Sequence, residues 1–130
     1  MKAPLRPLAA ALLLAALLLA ASPAWPCGTC AEDRMAATYD HAVVQKAAAA
    51  GRVMVFCALD GAWDAERMRS AARRVGGVDP ASVRLAREPA GMSFALDAKH
   101  QSPRAAVLAL QAAAPPGTRV SLVRVLGAGP

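Results

Sequence analysis

Residues Val53-Met54-Val55-Phe56-Cys57-Ala58-Leu59 are apolar without interruption. Side chains of a strand point alternately to its two faces, so a strand of this composition has no face to give to water and must be covered on both sides. One layer of helices on one side of a sheet would leave Met54, Phe56 and Ala58 in solvent. The chain must therefore supply a layer for each face of this strand, and the rest of the sequence can be read for those layers.

Residues 31–50 contain no Pro or Gly, are rich in Ala, carry Glu32 and Asp33 in what would be the first turn, and stop at Gly51. These signals predict one helix, with Met35, Tyr39, Ala42, Val43 and Ala47 forming a buried stripe at spacings of three and four. Beyond the strand, Asp64 can cap a helix running to about Val75, where Gly76-Gly77 ends it. Ser82 to Glu88 then reads as a strand, Pro89-Ala90-Gly91 as a turn, and Met92 to Ala98 as a second strand in which Met92, Phe94 and Leu96 alternate with Ser93, Ala95 and Asp97. Ser102 caps a helix with Pro103 in its first turn. Ala105 to Ala113 continues it, Pro115-Pro116-Gly117 closes it, and Thr118 to Leu126 is the last strand. The predicted order β-α-β-β-α-β is the ferredoxin-like split arrangement of an α+β fold. The helix over 31–50 would be an extra element packed on the sheet.

The amino terminus has a different meaning. Lys2 and Arg6 precede Leu8–Ala21, which is only Leu and Ala, and Ser22-Pro23-Ala24 places small residues at the positions that signal peptidases read. Residues 1–24 are expected to be a secretory signal peptide. An uncleaved anchor would need about 20 apolar residues, and the run has 14. A lipid anchor on Cys27 is disfavoured by Trp25-Pro26 before it. Cleavage after Ala24 leaves 106 of the 130 residues, and loss of Lys2 and Arg6 takes the net charge from +6 to +4. The remaining chain divides into 25–51, a cysteine-bearing segment with its helix, and 52–130, a compact α+β domain. A periplasmic or secreted location follows, with no stable membrane span after cleavage.

From Val53 to Leu126 the chain resembles the heavy-metal-associated domain family, small copper-chaperone-like modules found also in metal-transporting ATPases and mercury-binding proteins. The residues that carry the resemblance are Leu59-Asp60-Gly61 at the end of the first strand, Gly77-Val78 followed by Ser82-Val83-Arg84-Leu85, and Phe94-Ala95-Leu96-Asp97 leading to Ser102-Pro103. The resemblance implies a ferredoxin-like fold and soft-metal binding. The family's ligands are a Cys-x-x-Cys pair just after that glycine, and here those positions are Asp64 and Arg67.

A Cys-x-x-Cys does occur elsewhere, as Cys27-Gly28-Thr29-Cys30, immediately before the predicted N-terminal helix. A helix of 20 residues rises about 30 Å and the strand from Val53 to Asp60 covers about 26 Å. With only Gly51-Arg52 between them, the helix is expected to pack antiparallel on that strand and bring Cys30 beside Gly61, Trp63 and Asp64. The pair would then replace the missing motif from outside the domain.

Two sulfurs at this spacing can converge on one soft ion or on each other, and helix-start amides favour the thiolate. Cu(I) or Hg(II) suits two thiolates, whereas Zn(II) wants four ligands. Met92 and Cys57 are candidate accessory ligands, each with ordinary core packing as the alternative. The same pair can also serve thiol–disulfide exchange, since Cys-Gly-Thr-Cys at a helix start resembles a thioredoxin-type motif and an exported compartment is oxidising. A structural disulfide or a protein-interaction role is the third reading. The expected partner is a metal-transport or redox protein.

Other classes are poorly served. Arg67, Arg69, Arg73 and Arg74 lie in one stretch, but aromatic side chains that would stack on bases are not interleaved with them, so a nucleic-acid role is not expected. His41 stands about 16 Å along the helix from Cys30, and His100 belongs to the far end of the domain; both read as surface residues. The sequence has no Ser/His/Asp arrangement in a recognisable context and no phosphate loop. Thiol oxidoreductase is the only enzymatic reading it supports.

Overall fold

The structure is a computed structural model and describes residues 30–127. These residues form an α+β unit: one four-stranded antiparallel sheet with helices on both faces. In chain order the elements are α1 (Ala31–Thr38), α2 (His41–Ala49), β1 (Val53–Gly61), α3 (Ala65–Arg73), a 3-10 turn at Pro80–Ser82, β2 (Arg84–Arg87), β3 (Ala90–Leu96), α4 (Pro103–Ala113) and β4 (Thr118–Leu126). Strand order across the sheet is β2-β3-β1-β4.

The doubly apolar strand takes the central place its composition demands. Val53, Val55, Cys57 and Leu59 face α3 and α4, packing with Met68, Ala72, Met92, Phe94, Leu96 and Leu110 in the larger core. Met54 and Phe56 face the other way, into a smaller core completed by Ala47 and Ala95 and bordered by Met35, Val43 and Val44. The N-terminal helices thus cover the sheet face left bare by α3 and α4, as the sequence requires. Asp64 accepts from the Glu66 amide at the start of α3, and Ser102 accepts from the Ala105 amide at the start of α4.

The N-terminal segment differs from its expectation in shape. One straight helix over 31–50, running antiparallel along β1, is replaced by two helices broken at Tyr39-Asp40. Asp40 is extended (φ −125°, ψ 111°), and its carboxylate accepts from the Ala42 and Val43 amides, so it starts a second helix inside an Ala-rich stretch. Its other oxygen accepts from Arg84 Nε of β2 at 3.2 Å. Ser93 Oγ of β3 donates to the Thr38 carbonyl, which binds the end of α1 to the sheet. Consequently α1 crosses the sheet, from Ser121–Val123 of β4 beside Ala31 to Arg84 of β2 beside Asp40. Only then does α2 turn back over β1 and β3.

Two strand limits also shift. The expected strand from Ser82 begins at Arg84, because Asp79 caps a 3-10 turn by accepting from the Ala81 amide. Ser82 is buried there: its hydroxyl donates to the Asp79 carbonyl and accepts from the Ala95 amide. The hairpin turn is the two residues Glu88-Pro89 instead of Pro89-Ala90-Gly91, since Arg87 already pairs with Ala90 and Ala86 with Gly91.

Candidate functional site

Cys30 occupies the N-cap of α1 in extended conformation (φ −61°, ψ 149°), and its carbonyl accepts from the Arg34 amide. Cys27 lies outside the described residues, as does the expected signal peptide. Cys30 is half-buried. The first turn that follows carries Glu32 and Asp33, whose charges complement the positive end of the helix.

One ion pair marks where this helix start sits. Arg34 Nη1 lies 3.8 Å from an Asp60 carboxylate oxygen, and Ala31 and Arg34 share an open groove with Ala58, Asp60, Ser121, Leu122 and Val123. Asp60 is the penultimate residue of β1, paired with Arg119, and Gly61 pairs with Thr118. The first turn of α1 is therefore at the Gly61 end of β1, although the helix reaches it by crossing the sheet and not by lying along the strand. Leu122, at the mouth of the groove, is 42% exposed.

The other residues singled out from the sequence are distributed differently. Cys57 and Met92 are register partners on β1 and β3, both fully buried in the core facing α3 and α4. The sheet itself lies between them and α1, so the structure does not bring them together with Cys30. Burial pushes the Cys57 thiol up from 9.0 to about 12, which keeps it neutral at ordinary pH. Trp63 packs against that same larger core, with the Arg87 guanidinium 5.3 Å from its ring centre. Asp64 is engaged as the cap of α3. His41 and His100 are exposed, His41 within 3.4 Å of the Tyr39 hydroxyl. Among the described residues, no three His, Cys, Asp or Glu side chains are grouped so that they could hold a metal ion.

Sequence reasoning missed both ion pairs that place α1, Arg34–Asp60 and Asp40–Arg84. Opposite charges 26 and 44 positions apart carry no periodic signal. Asp at position 40 is a residue type that can cap a helix, but nothing else in 31–50 breaks the helical pattern there. No protein-family model matches the chain, no curated protein matches it, and no solved structure matches it. Among the described residues no helix is long and apolar enough to cross a membrane.

Proposed function

We propose that this chain is an exported soft-metal-binding protein, a carrier or accessory for an ion such as Cu(I), with Cys27 and Cys30 as its thiolate ligands. In this reading residues 1–24 are the signal peptide and the folded part is a ferredoxin-like domain resembling the heavy-metal-associated family. Strand order β2-β3-β1-β4, with α3 and α4 on one face, supports that fold. The observation that carries the functional reading is the Arg34–Asp60 pair. It puts the helix start that follows Cys30 beside the last residues of β1, and in the resembled family the metal ligands follow the end of that same strand, where this chain has Asp64 and Arg67 instead. Soft thiolates at a helix start suit a two-coordinate monovalent ion. A metal-transport protein would receive the ion.

A second reading is favoured by the N-cap position of Cys30. A cysteine at a helix N-cap is also the arrangement of a reactive thiol, and thiol–disulfide exchange with a redox partner uses it. The two separate in one experiment. Cu(I) titration of the reduced protein against a competing chelator is expected to give one ion per chain, lost in both Cys27→Ser and Cys30→Ser. No binding, together with a disulfide potential in the range of the strong thiol oxidants, would reject the carrier and establish the exchanger.

A further inference from the structure

A second site lies away from Cys30, in the angle between α2 and the β2–β3 edge of the sheet. There the break in the N-terminal helix leaves a pocket of about 200 Å³. Its floor is apolar and includes Val43 and the buried Ala47 and Ala95. Its rim is charged. Asp40 faces Arg84 at 3.2 Å on one side, and Arg52 Nη1 faces Asp79 at 3.2 Å on the other.

The hydrogen bonds around this rim are unevenly used. Each oxygen of Asp40 is engaged, one by the Ala42 and Val43 amides and one by Arg84 Nε. Each oxygen of Asp79 is engaged too, by the Ala81 amide and by Arg52. The Ser82 hydroxyl both donates and accepts. Donors, by contrast, are left over. Arg84 spends Nε on Asp40 and Nη1 on the Ala81 and Val83 carbonyls, leaving Nη2. Arg52 engages the rim through Nη1 alone, and Lys46, exposed at the pocket, has no ion-pair partner among the described residues. Two carboxylates against Lys46, Arg52 and Arg84 give the rim a surplus of one positive charge.

From the surplus donors above an apolar floor we infer that this pocket binds a small apolar monocarboxylate. The carboxylate would take donors from the positive rim formed by Lys46, Arg52 and Arg84, and the hydrocarbon body would cover Val43, Ala47 and Ala95. Size sets the scale. An apolar cavity of about 150 Å³ admits benzene, so this pocket of about 200 Å³ can cover a body of roughly six or seven carbons. Small side chains of α2 and its C-cap, Ala42, Ala47 and Ala50, line the pocket beside Val43 and Lys46. The site is independent of Cys27 and Cys30.

The test is a titration of the isotope-labelled protein, processed as its host processes it, with benzoate and hexanoate, followed by amide chemical shifts. For ligands of about nine non-hydrogen atoms the expected Kd is about 1 mM, with shifts confined to Val43–Ala50 and Ala81–Arg84. Benzyl alcohol is expected to bind about tenfold or more weakly, because its hydroxyl accepts without charge assistance, and benzylamine weaker still, because its cation meets a positive rim. Lys46→Glu, on an exposed position, is expected to weaken benzoate about tenfold, and Ala42→Trp, also exposed, to block entry with the fold unchanged. The inference is overturned by the absence of shifts at about 20 mM of either carboxylate, well above saturation for that Kd. Equal binding of benzyl alcohol, undiminished binding by Lys46→Glu, or shifts centred elsewhere would overturn it as well.

Discussion

At Cys57 the surrounding core decides the chemistry of a side chain whose identity alone suggests a ligand. Its thiol is 2% exposed and is held up at about 12 by burial. The raised value makes the native state hold its proton longer than the unfolded chain does. Stability from this residue is therefore complete below pH 9 and declines as pH rises from 9 towards 12. Under reducing conditions iodoacetamide is expected to label Cys57 about a thousandfold or more slowly in the native protein than in denaturant, since labelling must wait for the fold to open. Mass spectrometry of quenched samples measures this, and rapid native labelling of Cys57 would show that the strand is not the buried centre described above. Asp64 and Ser102 are the opposite case, legible in the sequence because a cap acts over two or three residues. Asp40 uses the same short-range chemistry but is also paired with Arg84 of β2, a partner 44 positions away that no local pattern reveals.

Among the elements, the end of β1 and the start of β4 illustrate how tightly two strands can constrain one residue. Gly61 has φ +81°, and a methyl group on it would run into the Gly117 carbonyl oxygen. Gly117 has a similar φ of +88° but open space around its α-carbon. Gly61→Ala is expected to cost about 3 kcal/mol, from strain and collision together, and Gly117→Ala only about 1 kcal/mol, from the backbone alone. Urea unfolding of both variants checks the difference; equal losses would mean that the β1–β4 junction is looser than its geometry. Helix positions were largely readable at this scale, since periodicity and end signals are local. The division of α1 from α2 was not, because helix propensity is high throughout 31–50 and the break is imposed by contacts with β2 and β3.

For the molecule as a whole, the sheet couples two cores, one on each face, and β1, β3 and β4 contribute side chains to both. Phe56 lies in the core beneath α1 and α2, and Phe94 in the core beneath α3 and α4. Replacing either by Ala is expected to cost about 3–5 kcal/mol, a large part of the roughly 5–15 kcal/mol that a domain holds in total. Because the strands are common to both cores, hydrogen exchange should speed up in α1–α2 and in α3–α4 together in either variant. Loss of protection confined to α1–α2 in Phe56→Ala would show instead that the N-terminal layer is an appendage with its own stability.

By itself the sequence determined that β1 must be central and twice covered, since seven consecutive apolar side chains alternate to two faces whatever surrounds them. It also determined where most helices begin and stop, because capping and periodicity act within a few residues. Tertiary structure alone decided that α1 crosses the sheet, that the first turn of α1 lies beside Asp60, that Cys57 and Met92 are walled off from it by the sheet, and that a pocket opens under α2. The physical reason is the same in each case. These outcomes depend on ion pairs and packing between residues tens of positions apart, and such pairings have no energy until the chain has folded far enough to bring them into contact.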